Sequence, residues 1–383
     1  GGRLTVHDVQ TRAEGGDPAW AALRQHLRLA TLPPAPPLGD GRVVVPMYAI
    51  VKFLEMPLQG WARFRLGLDE QEDEDVMARE NEPFETELRK ETLLLREVVL
   101  EAAARGETLE TAYDAKVRER ELRGRGPSGV FATGERGDHL RALHTWEKAL
   151  ADNAVPYDAI ELYRFGRAGE RARADEVHES LVLDVDVEDS AGVRRMVRAE
   201  VTGRTLPLGA GATASITLSK RANEATDDWA AAGRKLPWLR AFVDHAVLAA
   251  SGLGADRAHK SLLVVATTDK PVVEAHALPP LTQDEARCWL RDRVRELLGQ
   301  PHAYFLPCEA VFLHAAGPPE APVVPVIEAA RDKLRGGDGP LALRSAYGPV
   351  PRPQEYPVPD EEAARAMIQA RFGVLLRPAP EKP

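Results

Sequence analysis

The chain has 383 residues, 44% hydrophobic and 28% charged, with a formal net charge of −9. That length and composition suit two ordinary domains or one large elaborated domain with a sizeable core, while the acidic balance excludes a basic footprint spread over the whole chain. No apolar run reaches the roughly 18 residues a membrane span needs, and two cysteines, Cys288 and Cys308, are too few for a disulfide framework or a four-cysteine metal site, which fits a reducing cytoplasm.

Gly1-Gly2 in place of a start methionine reads as the scar of an excised fragment. Residues 1–40 hold a short helical pattern at 20–29 and then the stretch LPPAPPLGDG, a linker or strap whose prolines disfavour helix and strand pairing. Between 45 and 68, Ile50, Phe53, Leu54, Trp61, Phe64 and Leu68 recur at three- and four-residue steps. One apolar helical face follows, with Pro57 starting a second helix or kinking the first. The acidic run at 69–75 reads as solvated loop, 83–123 as helix, and 124–137 as a glycine-rich break. From about residue 178 the period becomes two. Leu181, Leu183, Val185 and Val187 alternate with Val182, Asp184, Asp186 and Glu188, so a strand carries its acids on one face.

Two further strands are expected at 196–206 and 212–218, with turns at Gly203, Gly209 and Gly211. A helix with a buried stripe from Leu236 to Ala250 comes next, then an apolar strand at 262–266 and a short one at 272–277. Thr282 and Glu285 form a capping box that opens a helix running to Gly299. Two short helical patterns, near 326–335 and 360–372, lie in the tail. The chain thus divides into a strap (1–40), a first helix with a helical insertion (41–175), a core of strands and helices (176–316) and a C-terminal extension (317–383). The predicted class is α+β, a hairpin-rich mixed sheet flanked by helices rather than a doubly wound nucleotide fold.

The order helix, three strands, helix, strand resembles the core of the PD-(D/E)XK nucleases. Several short motifs narrow the resemblance: Phe53-Leu54-Glu55-Met56-Pro57 leading to Leu66-Gly67-Leu68, Asn81-Glu82-Pro83-Phe84, and Arg125-Gly126-Pro127-Ser128-Gly129-Val130-Phe131. Val201-Thr202-Gly203-Arg204-Thr205-Leu206-Pro207 and Ala249-Ala250-Ser251-Gly252 follow. In that order they are similar to the C-terminal nuclease-like domain of the RecC family (exodeoxyribonuclease V gamma chain), over about residues 43–315. The resemblance implies a subunit of an ATP-dependent helicase–nuclease. Its expected partners are RecB-type and RecD-type subunits in a heterotrimer and single-stranded and forked DNA, with roles in strand separation and Chi recognition.

A metal-dependent phosphodiesterase needs carboxylates that converge on Mg²⁺. Active relatives end the second strand in Gly-x-x-Asp and carry Asp or Glu two residues before Lys on the third. Here those positions read Leu206 and Leu218, with Lys220 surviving. Leucine cannot hold the metal, so no catalytic residue, metal or cofactor is expected. The chief alternative is a divergent active nuclease using Asp184, Asp186 and Glu188 with Lys220; another is an assembly-only scaffold.

Met56 stands where some relatives carry a cluster-binding cysteine. His139 and His144 are spaced off a helical zinc pair, and the stretch 252–261 runs helix to strand, opposite to a phosphate-binding loop. Candidate DNA contacts are Arg123, Arg125, Arg164, Arg167, Arg204, Lys220 and Arg221. Trp146, Tyr157, Tyr163 and Phe165 would stack bases beside them, with burial in a core as the competing reading.

Overall fold

The computed structural model describes residues 18–20, 22, 41–68, 88–123, 129–166, 174–188, 194–220, 228–266, 271–299, 301–336, 348, 350 and 352–377. Strand β1 (Arg42–Pro46) runs directly into helices α1 (Met47–Glu55) and α2 (Pro57–Leu66). Pro57 occupies the first turn of α2, where a missing N–H costs nothing. Gly60 lets the two helices approach, since a Cβ there would lie 2.4 Å from the Phe53 backbone.

The insertion consists of α3 (Leu88–Arg105), α4 (Leu109–Leu122) and α5 (Gly129–Asp152). The glycine-rich break expected at 124–137 is overturned from residue 129 onward, because Gly134 and Gly137 lie inside α5. Each weakens the helix by about 1 kcal/mol. The burial of Leu143, Trp146 and Leu150 farther along the same helix outweighs that loss.

Strands β2 (Tyr163–Phe165), β3 (Glu176–His178), β4 (Leu181–Glu188) and β5 (Arg194–Arg204) join β1 in a five-stranded sheet of order β1-β5-β2-β3, with β4 pairing β5. A second sheet has the order β6 (Leu208–Gly209), β7 (Ala214–Ser219), β8 (His259–Val265) and β9 (Val272–Leu278). An isolated antiparallel bridge joins Glu161, two residues before β2, to Leu208 of the second sheet. Both sheets are mixed: β4–β5 is an antiparallel hairpin, while β7 and β8 run parallel. Between β7 and β8 lie α6 (Asp228–Gly233) and α7 (Leu236–Ala250). The predicted order of helix, three strands, helix and strand is present, but in two sheets rather than one. Strands β1, β2 and β3 were not expected, since three to five residues give a period-two pattern little room.

Helix α8 (Gln283–Leu298) opens on the expected box: the Glu285 N–H donates to Thr282 Oγ1 (3.2 Å) and the Thr282 N–H to the Glu285 carboxylate (2.9 Å). Arg287 and Arg295 of this helix donate to the Val182 and Asp186 carbonyls, which satisfies the edge strand β4. The tail adds α9 (Cys308–Ala315), α10 (Val324–Gly336) and α11 (Glu361–Phe372); the first of these was not expected.

Two cores result. The larger joins the inner face of the five-stranded sheet to α1, α2, α7 and α8, and Ile327, Phe372 and Leu375 of the C-terminal extension belong to it. The smaller packs α3–α5 onto one face of the other sheet, with Leu95, Val98, Leu143 and Trp146 against Ile216, Leu218, Leu262 and Val264. Strands β1 and β2 of residues 41–175 both pair with β5 of residues 176–316. Among the described residues, no helix is long and apolar enough to cross a membrane.

Candidate functional site

Alternation along β7 sends Ala214, Ile216 and Leu218 into the core beneath the helical insertion. Lys220 follows at the strand's end, and its ammonium pairs with the Glu91 carboxylate of α3. His139 of α5 lies 2.6 Å from the same carboxylate oxygen, and its Nδ1 is 2.8 Å from the Tyr113 hydroxyl of α4. Arg96 Nε donates to the Leu218 carbonyl (2.5 Å), and Trp146 Nε1 to the Ser219 carbonyl (3.1 Å). Burial alone would push the Glu91 carboxyl up, but His139 and the Lys220 charge outweigh it and hold it below the ordinary range. Lys220 is therefore a tie between sheet and insertion rather than a free cation.

Leu206 is anchored on the other side of β7. Its N–H donates to Asp244 Oδ2 of α7 (2.9 Å), and the Ser215 hydroxyl reaches the same oxygen (3.2 Å). Ser215 has the opposite parity to Leu218, so the two leucines standing at metal-ligand positions are held to opposite faces of the strand. His259 Nε2 is 2.9 Å from the Ser215 hydroxyl, and His245 stacks on His259. Burial pushes the Asp244 carboxyl up to about 8 and the His259 imidazole down to about 3. Serine, histidine and aspartate thus meet, but the serine stands between the other two and all three are buried. No nucleophile is presented to a substrate. The sequence signal for this network was the pair Asp244-His245 inside the apolar stripe of α7, which the periodicity reading passed over.

Asp184, Asp186 and Glu188 are exposed and stand across from Arg198, Met196 and Arg194, with a Glu188–Arg194 ion pair of 3.3 Å. They lie in the five-stranded sheet, whereas Lys220 ends a strand of the other and is held by Glu91. The structure does not bring these acids and this lysine together. Among the described residues, no group of three or more His, Cys, Asp or Glu side chains is arranged for a metal.

Two of the basic candidates do meet. Arg164 of β2 and Arg204 of β5 are cross-strand partners. Arg198, on the same face of β5 and six residues back (about 20 Å of strand), pairs across to Arg42 of β1. Arg42 is bonded to Glu200, whereas Nε and Nη2 of Arg164 are buried without a hydrogen-bond partner in the protein. Arg123, at the end of α4, pairs with Glu119 at 2.7 Å. Arg125, Arg167 and Arg221 lie outside the described residues, as does the motif at 81–84.

Of the two readings of the aromatic residues, stacking on bases and burial in a core, burial holds. Trp146, Tyr163 and Phe165 are buried, and the partly buried Tyr157 donates to the Glu107 carbonyl. A flat apolar ring on the inner face of a strand stabilises more by burial than by stacking on a ligand. His139 is likewise buried and His144 exposed, and neither cysteine is in a disulfide. Compared with known proteins, the chain matches no family model and no curated protein.

Proposed function

We propose that this chain is a non-catalytic DNA-handling and partner-docking module of a RecC-type subunit in a helicase–nuclease, acting in the cytoplasm in double-strand-break repair by recombination. The observation that carries the non-catalytic part is the filled face of β7 beneath the helical insertion. Leu218 is packed under α3 and α5, and the lysine two residues on is neutralised by Glu91. A phosphodiester-cleaving metal needs converging carboxylates and room for substrate, and neither is available there. The cross-strand pair Arg164 and Arg204 supports contact with phosphates, which position a strand without reading its sequence, while Arg42 and Arg198 on the same sheet face stand against Glu200 and Asp184. RecB-type and RecD-type subunits are the partners this reading implies.

An assembly-only role without DNA contact is favoured by Val44 and Met196, which are 52% and 66% exposed on the same face. Fluorescence anisotropy with labelled single-stranded and forked DNA over a salt series separates the two. The proposal expects binding that weakens steeply with salt, and a slope reduced by about one to two when Arg164 and Arg204 are both changed to Gln. Absence of binding at low salt overturns the DNA part and leaves assembly. Mg²⁺-dependent cleavage abolished by Asp186→Ala overturns the non-catalytic part.

A further inference from the structure

The carboxyl ends of the parallel strands β7 and β8 open onto a cleft of about 250 Å³ between α3 and the α6–α7 corner. Its polar wall carries the guanidinium side chains of Arg96, Arg234 and Arg240 and the hydroxyls of Thr217 and Ser219. Its apolar wall includes Leu236, Leu263 and Val265. Thr217 and Ser219 have the parity of Ser215, so this cleft lies across β7 from the Lys220–Glu91 contact.

The charges in the cleft are unbalanced. Arg234 has Glu274 at 3.3 Å, but Arg96 and Arg240 face each other closely enough that Arg240's charge, after burial, depresses the Arg96 guanidinium. The carboxyl nearest Arg240 along α7 is Asp244, which burial keeps largely protonated near neutral pH and therefore nearly uncharged. Among the described residues, three guanidiniums against the carboxylate of Glu274 leave about two positive charges, the complement of a phosphate monoester, which carries about −1.5 to −2 at pH 7. The amino end of α7 borders the same space and adds the positive end of its dipole.

We infer that this cleft binds a nucleoside phosphomonoester, with the phosphate between Arg96, Arg234 and Arg240 and the nucleoside against the Leu236–Leu263–Val265 wall. Arginine provides forked, bidentate donors for phosphate oxygens, and the two hydroxyls add further donors. A free mononucleotide and the 5′-phosphorylated end of a strand share this chemistry. The inference does not rest on the DNA-handling reading, because the cleft and the Arg164–Arg204 row are in different sheets.

Isothermal titration calorimetry on the full chain tests it, with thymidine, thymidine 5′-monophosphate, and a short oligonucleotide with and without a 5′-phosphate. Each phosphorylated probe should bind at least tenfold more tightly than its unphosphorylated counterpart. Arg240→Gln, at an exposed position, should erase that difference while the melting temperature stays within a few degrees of wild type. Equal affinity for mononucleotide and phosphorylated oligonucleotide identifies the free nucleotide as ligand; a tenfold preference for the oligonucleotide identifies the strand end. No phosphate-dependent difference in either pair, or a difference that persists in Arg240→Gln, overturns the inference. Mononucleotide binding in a chain that fails to bind forked DNA would uphold the cleft and remove the DNA-handling reading.

Discussion

Asp244 offers the sharpest test of the interior. Its carboxyl accepts from the Leu206 N–H and the Ser215 hydroxyl, and burial raises it from 3.8 to about 8. A group whose folded pKa is raised holds a proton that the unfolded chain releases. Its contribution to stability is therefore complete below about 3.8 and lost as pH rises through about 8. Each pH unit inside that window is worth at most about 1.4 kcal/mol. Asp244→Asn retains an oxygen for the same two donors and removes the titration. Wild type and variant should be nearly equal in stability at about pH 5. Between about pH 6 and pH 8 the variant should gain about 1–3 kcal/mol on wild type, allowing for relaxation around the ionised carboxyl. Urea unfolding at several pH values, with unchanged m-values, measures this directly. A stability difference that stays flat across the window would refute the assignment of a protonated, buried Asp244.

Glu91→Ala should destabilise by about 2–4 kcal/mol, because it leaves Lys220 and His139 facing a site built around a carboxylate; urea unfolding measures it, and Glu91→Gln should recover part of the loss. Since the Glu91 carboxyl is held below its ordinary value of 4.5, its contribution is present above that pH and should fade as pH falls further, which acid titration followed by circular dichroism reads. Gly60→Ala should cost several kcal/mol or prevent folding, since its Cβ would meet the Phe53 backbone at 2.4 Å and neither helix can give way cheaply; thermal melting reports it. Thr282→Ala should cost about 1 kcal/mol by removing one half of the α8 capping box, again by urea unfolding.

Much of the fold was legible because its signals are local. The alternation of Leu181, Leu183, Val185 and Val187 against three acids forecasts both the strand and its exposed face, since side-chain direction in a strand depends on parity alone. Pro57 and the Thr282–Glu285 pair mark helix starts through backbone chemistry that needs no distant partner. Where the reading failed, the deciding contact was remote in sequence. Gly134 and Gly137 look like a break, yet residues later in the same helix find a sheet to pack on. Tyr163 and Phe165 interleave with an arginine, a pattern open to stacking or to burial, and β2 decides for burial by turning them inward with Arg164 on the other face. Helix α9 is only eight residues long, too short for its periodicity to stand out.

The candidate site divides in the same way. That Leu206 and Leu218 cannot coordinate a metal is a matter of side-chain chemistry, and the sequence by itself determined it. It also determined the parity by which Leu218 and Lys220 share one face of β7 and Ser215, Thr217 and Ser219 the other. Only the tertiary structure decided what each face meets. One receives α3 and α5, and Lys220 is held by Glu91 from 129 residues away in the chain. The other receives Asp244 against Ser215 and, at the strand's end, three arginines from α3 and the α6–α7 corner around a cleft. Charges so far apart in sequence leave no spacing to read, because their proximity comes from sheet pairing and helix packing rather than from a local period.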